Sequence, residues 1–185
     1  MLTIARTTAL VAAAALVVGC HQGSAPSPTP DGELAFPGSG TMPSFGVAHG
    51  NTPARQPVGF YAGTVCTANG KPAHIESVTL NDPENMKLVD WGTTSRATRS
   101  EGIWKGTVLG DERYSYSQGP VEGSCKGKNK VLSEIAVSVE RTAADVGLAH
   151  GFTVKTTNGT LYVPMGLALC ATTCPERTTD KLSRS

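Results

Sequence analysis

Short apolar alternations, cut at close intervals by Gly, Asn, Asp and Pro, constrain the fold of this 185-residue chain more than any other feature. Ile135, Val137 and Val139 alternate with Ala136, Ser138 and Glu140. Phe152 and Val154 alternate with Thr153 and Lys155; Asn158-Gly159 follows, and then Leu161, Val163 and Met165 alternate again. A period of two sends successive side chains to opposite faces, as in a half-buried strand. Asn-Gly between two such runs predicts a hairpin over 151–170, because a type I′ turn needs positive φ at both central positions. Pro164 has no N–H for a ladder and favours an edge position or a bulge in the second arm. Further strands are predicted over 59–66, 74–80, 86–91, 103–109 and 130–141. Turns are predicted at 69–70 and 81–85, and 142–146 reads as a short helical turn or a loop. No long stretch has helical periodicity, and no spacing repeats. About seven strands over 58–176, a length that supports a real core, predict an all-β fold. A single β-sandwich fits best, with its immunoglobulin-like form as one candidate and a small β-barrel as the alternative.

The segment over 21–57 is rich in Pro, Gly, Ser and Thr and poor in large apolar residues. Such a composition buries too little surface to offset chain entropy and is expected to be a disordered tether, spanning roughly 35 Å as a flexible coil. Residues 177–185 read as a polar, disordered tail.

Ahead of the tether, Arg6 precedes an apolar run from Ala9 to Val18 that ends at Gly19-Cys20. A basic start, an apolar stretch of about ten residues and a small residue form a secretory signal, too short to span a bilayer as a helix. With cysteine after the cut, Val17-Val18-Gly19-Cys20 resembles the lipobox of bacterial lipoproteins. The resemblance implies removal of 1–19, a lipid on Cys20 as the first mature residue, and attachment to the outer face of the cell membrane. Two or more acyl chains make a stable anchor where one does not. No later stretch approaches membrane-spanning length. The strand pattern, closing on Leu167-Ala168-Leu169-Cys170, is similar to uncharacterised exported lipoproteins of actinobacteria, and that similarity brings no activity with it.

Removal of 1–19 deletes Arg6 and no acid, which leaves fifteen basic and fifteen acidic residues. So even a balance argues against a nucleic-acid partner and against broad electrostatic attraction to membranes.

Besides Cys20 there are Cys66, Cys125, Cys170 and Cys174. An even number in an exported domain predicts two disulfides, with three connectivities open. Cys66–Cys170 with Cys125–Cys174 is slightly favoured, because it ties the first strand to the last and because a Cys170–Cys174 loop constrains the unfolded chain little. Cys66–Cys125 with Cys170–Cys174 is close behind. The competing reading is a metal or redox site, in which Cys170 and Cys174 would need two further ligands such as His74 and His150. There is no Cys-x-x-Cys.

Motifs for catalysis are missing. Of the four histidines, His21 and His49 fall beside the anchor and in the tether, while His74 and His150 fall at predicted strand starts. Ser77, Ser138 and Asp145 are available as partners, but no Gly-x-Ser-x-Gly, His-Glu-x-x-His or Ser-His-Gly-x-x-Cys supports a site. Gly123 to Asn129 misses the phosphate-loop spacing, with three residues between its glycines and no Ser or Thr after Lys128. Lys126, Lys128 and Lys130 would share one face if extended and are candidate contacts for an anionic polymer; guarding a strand edge is the competing role. Tyr114 and Tyr116 would likewise share a face and are candidate stacking residues for sugar rings or a protein. Trp91 and Trp104 are expected to pack in the core. No catalytic residue, metal or cofactor is expected apart from the covalent lipid. The sequence therefore predicts a non-enzymatic binding or structural module of the cell envelope, with a membrane anchor and an envelope protein or wall polymer as partner. An envelope hydrolase and a metal or redox carrier are the alternatives.

Overall fold

The computed structural model describes residues 32–38, 42–95, 102–113, 115–126, 132–142, 144–176, 178 and 182. The predicted signal, Cys20 and the expected tether up to 31 lie outside them, as do Tyr114, Lys128 and Lys130. The chain is all-β. Its strands are β1 (Leu34–Ala35), β2 (Phe45–His49), β3 (Val58–Thr67), β4 (Ile75–Leu80), β5 (Met86–Thr94), β6 (Ile103–Lys105), β7 (Ser133–Arg141), β8 (Val146–Ala149), β9 (Phe152–Thr156), β10 (Gly159–Val163) and β11 (Met165–Cys170).

Three sheets surround one core. The largest runs β1-β3-β7-β5, with β6 beside β1 on the outer edge of β3; the others are β10-β9-β4 and β2-β11-β8. Phe60, Ile135, Val137, Phe152, Val154, Met165, Leu167 and Leu169 are fully buried at their meeting point. The turns follow local chemistry. Gly70 has φ 75° after Asn69, whose Oδ1 accepts from the Lys71 N–H at 3.1 Å. Asp82 and Asn85 take left-handed φ of 43° and 49° between β4 and β5, a region that Asp and Asn tolerate best among non-glycines.

β7 is buried along all nine residues, not on alternate ones. Ile135, Val137 and Val139 face the main core. The face expected to meet solvent lies instead under a second apolar cluster of Trp104, Val108, Tyr116 and Ala136, with Tyr61 against it. Register explains how a loop lies so close. Trp104, Gly59, Ser138 and Asp90 form one row across β6, β3, β7 and β5, and Tyr61, Ala136 and Gly92 form the next across β3, β7 and β5. Small residues in these rows leave room. A Cβ on Gly59 would lie 2.2 Å from Cε2 of Trp104, and one on Gly92 would lie 3.0 Å from both Val108 and Tyr116. Strand 103–109, as predicted, therefore stops at Lys105, where the chain turns through Gly106 (φ 107°) to lie over the sheet.

The β9–β10 hairpin exists, but its turn is displaced by one residue. Thr156 pairs with Gly159, so Thr157-Asn158 forms the two-residue loop, and neither has positive φ. The primed turn expected at Asn158-Gly159 is absent, and Thr156 Oγ1 donates to the Gly159 carbonyl at 3.2 Å. Pro164 marks a corner: β10 ends in one sheet and β11 begins in another. Its carbonyl accepts from the Phe45 N–H at 3.1 Å.

The folded unit starts well before position 58. Leu34 and Phe36 are buried in the core, and β2 pairs in parallel with β11. Half of the expected tether is thus structural. A few apolar residues (Leu34, Phe36, Phe45, Val47) suffice because two existing sheets supply the rest of the burial and the ladder partners. The tail also contributes, since Leu182 is 1% exposed and lies against Gly166 of β11.

Candidate functional site

Two disulfides close the fold, Cys66–Cys125 and Cys170–Cys174. The favoured alternative, Cys66–Cys170 with Cys125–Cys174, is therefore overturned. β3 and β11 belong to different sheets, and Cys66 instead lies beside the segment returning from the loop. Next to it Thr67 bridges Ser124, its N–H and hydroxyl both donating to the Gly123 carbonyl at 2.8 and 2.6 Å. The two bonds take all four thiols, including Cys170 and Cys174, on which the metal reading centres. Among the described residues no group of three His, Cys, Asp or Glu side chains is placed to hold a metal ion.

The candidate binding residues do not converge. Tyr116 is buried, stacked on Trp104 with ring centroids 6.2 Å apart, and its hydroxyl donates to the buried Glu134 at 3.4 Å. It is a core residue, not a platform for sugar. Lys126 is exposed in a bend beside Cys125, its N–H bound to Ser124 Oγ, and not in a strand, since β7 starts only at Ser133. Tyr114, Lys128 and Lys130 lie outside the described residues. Of the possible catalytic partners, Ser138 is fully buried and accepts the Val108 N–H at 2.6 Å, Asp145 is exposed before β8, and His74 is exposed before β4. His150 lies in the turn between β8 and β9, where its carbonyl accepts from the Tyr162 hydroxyl at 2.9 Å.

What the fold builds instead is a polar cleft of about 330 Å³ where β5 ends and the covering loop returns. Thr93, Thr94 and Ser95 supply one wall, Ser115 and Ser117 the other, and Ser133, Glu122, Gly119 and Pro120 the remainder. Six of these nine residues carry a hydroxyl, and none is cationic. The walls are held by backbone. Thr93 and Ser117 exchange N–H···O bonds of 2.9 and 3.0 Å, and Ser133 Oγ donates to the Glu122 carbonyl at 3.0 Å. At the far end of the loop the Asp90 carboxylate accepts the N–H groups of Val108 and Leu109 at 3.0 and 3.1 Å. Ser115 is held at φ 50°, a left-handed conformation uncommon for serine. Hydroxyls that both donate and accept, with one carboxylate at the rim, suit a neutral polyhydroxylated ligand. Nothing in the sequence marks these serines and threonines out, because their types are common and their meeting depends on a loop folding back over a sheet. No protein-family model, curated protein or solved structure matches this chain.

Proposed function

We propose that this chain is an extracytoplasmic lipoprotein, anchored through acylated Cys20, whose folded unit is a non-enzymatic binding module for a hydroxyl-rich polymer of the cell wall. The hydroxyl-lined cleft carries this reading: six Ser and Thr residues and Glu122 border a space of about 330 Å³, the lower end of the usual range for ligand sites. Two disulfides agree with an oxidising compartment, where such bonds persist. The lipobox at Val17 to Cys20 supplies the anchor.

The test is co-sedimentation of the full chain with insoluble cell-wall material, alongside Ser95→Trp, which fills the cleft from its exposed rim. The wild type is expected in the pellet and released by soluble wall polysaccharide, with Ser95→Trp remaining in solution. Equal sedimentation of both proteins, or of neither, would overturn the cleft as the binding site. Intact-mass measurement of the protein from membranes is expected to show a chain starting at Cys20 and carrying fatty acid.

A further inference from the structure

A second concavity, of about 400 Å³, opens between β2 and β3 and is apolar where the cleft is polar. Met42, Phe45 and Val47 line one side, and Phe60, Ala62 and Ile103 the other. Its origin lies in the strand order. On the outer edge of β3, β6 covers Val58 to Phe60 and β1 covers Cys66 and Thr67. Beyond the bond from the Tyr61 N–H to the Gly102 carbonyl, at 2.9 Å, no strand among the described residues pairs with that edge between them, and β3 is irregular at Tyr61–Gly63 where it pairs with β7. β2 pairs with β11 on one side only among the described residues, and its Phe45 and Val47 line the same concavity. An apolar trough of ligand size stays partly open to water, which disfavours leaving it empty.

We infer that this groove receives one acyl chain of the lipid carried by Cys20 of the same molecule; the inference rests on the lipoprotein reading above. The route of the chain favours its own anchor over a lipid from elsewhere. The described fold begins at Gly32, and β1 runs antiparallel to β3 from the Thr67 end towards the groove. Gly32 lies two residues beyond the Leu34–Thr67 pair, so it stands about six residues of strand, roughly 20 Å, from Gly63. Eleven residues separate Cys20 from Gly32, and the twelve steps reach at most roughly 40 Å. A short flexible linker whose reach exceeds its span holds a tethered group at about millimolar effective concentration, whereas a free lipid must be recruited from solution. An alkyl chain also suits the apolar side chains of the lining, because it brings no polar group that would need a partner there. The groove thus shelters one chain of the anchor in water and yields it to a bilayer, which takes all the chains together.

The test uses the full-length, cell-processed protein with Val47→p-benzoylphenylalanine, freed of detergent at low concentration and illuminated. Lys155→p-benzoylphenylalanine, on an exposed strand position, is the control. The expected product is an intramolecular crosslink from position 47 to the acyl group of Cys20, found by mass spectrometry, absent from the control and lost when phospholipid vesicles are added. A missing crosslink, or one joining two copies of the chain, would overturn the inference. The same spectrum reports the mass at Cys20. An unacylated cysteine refutes the lipoprotein reading itself, whereas an acylated but uncrosslinked one refutes only the groove.

Discussion

Paired substitution of each disulfide separates two effects that are usually confounded. Cys66–Cys125 spans 59 positions of sequence and Cys170–Cys174 only four. If a disulfide acts by restricting the unfolded chain, the loop-closure relation assigns about 4 kcal/mol to the first and about 2 kcal/mol to the second. Loss of sulfur volume largely cancels between them. Each pair joins one fully buried cysteine (Cys66, Cys170) to one half-buried cysteine (Cys125, Cys174). The double variants Cys66→Ala/Cys125→Ala and Cys170→Ala/Cys174→Ala are therefore expected to differ in stability by about 2 kcal/mol, the long-loop variant being the weaker. Urea denaturation measures both. The slope against urea is expected to steepen more for the long-loop variant, whose unfolded chain gains more exposed surface. Equal losses, or a larger loss for Cys170→Ala/Cys174→Ala, would refute the entropic argument and place the stabilisation in native contacts around each bond.

Other perturbations probe single contacts. Gly59→Ala drives a methyl into the Trp104 ring and is expected to cost about 1–3 kcal/mol, with a shifted tryptophan emission that marks the displaced indole. Arg141→Met leaves the Thr52 and Ala144 carbonyls without the guanidinium that donates to both, and thermal unfolding is expected to register a loss of about 2–3 kcal/mol. Asp90→Ala removes the acceptor for two loop N–H groups, and limited proteolysis is expected to cut within 106–113 before the strands yield. The hydrogen bond from Lys155 to Glu76, and then the charge of Glu76, raise the Lys155 pKa above its ordinary 10.5. Its contribution is complete below pH 10.5 and is lost as pH rises through the higher folded value. Glu76→Gln is expected to flatten that part of the stability profile, read from urea midpoints in alkaline buffers.

Strand existence was legible where one residue in two was apolar and a turn residue stood nearby, as in β3, β4, β5, β7 and β9. Placement failed where a tertiary partner decided it. The hairpin turn moved by one residue because pairing of β9 with both β10 and β4 fixes its register, which outweighs the Asn-Gly preference. Residues 45–49 read as linker because Phe-Gly-Val-Ala-His has weak alternation alone; β11 supplies its ladder from more than a hundred positions away. For β7, Ala136 and Ser138 suggested a wet face, since a small side chain under a tryptophan layer and one facing water look the same in sequence. The pairing of cysteines was open for a similar reason: spacing bounds loop entropy but does not say which strands become neighbours.

The cleft and the second apolar cluster are two faces of one structural decision. The loop after β6 has little regular hydrogen bonding of its own, so each buried N–H must find a partner elsewhere. Among the described residues it finds them at four main points: the Asp90 carboxylate with Ser138 Oγ, the Thr93–Ser117 bridge, the Ala73–Val121 bridge, and the contacts of Thr67 with Gly123 and Cys125 beside the disulfide. Between these points Trp104, Val108 and Tyr116 bury their rings and methyls against glycine and alanine. That burial holds the loop down without fixing its register, because apolar contact is not directional. The polar clamps fix the register, and they are what bring Ser115 and Ser117 opposite Thr93, Thr94 and Ser95. A change confined to the apolar layer should therefore lower stability while leaving the cleft chemistry in place. A change to a clamp should disperse the hydroxyls even where the strands survive.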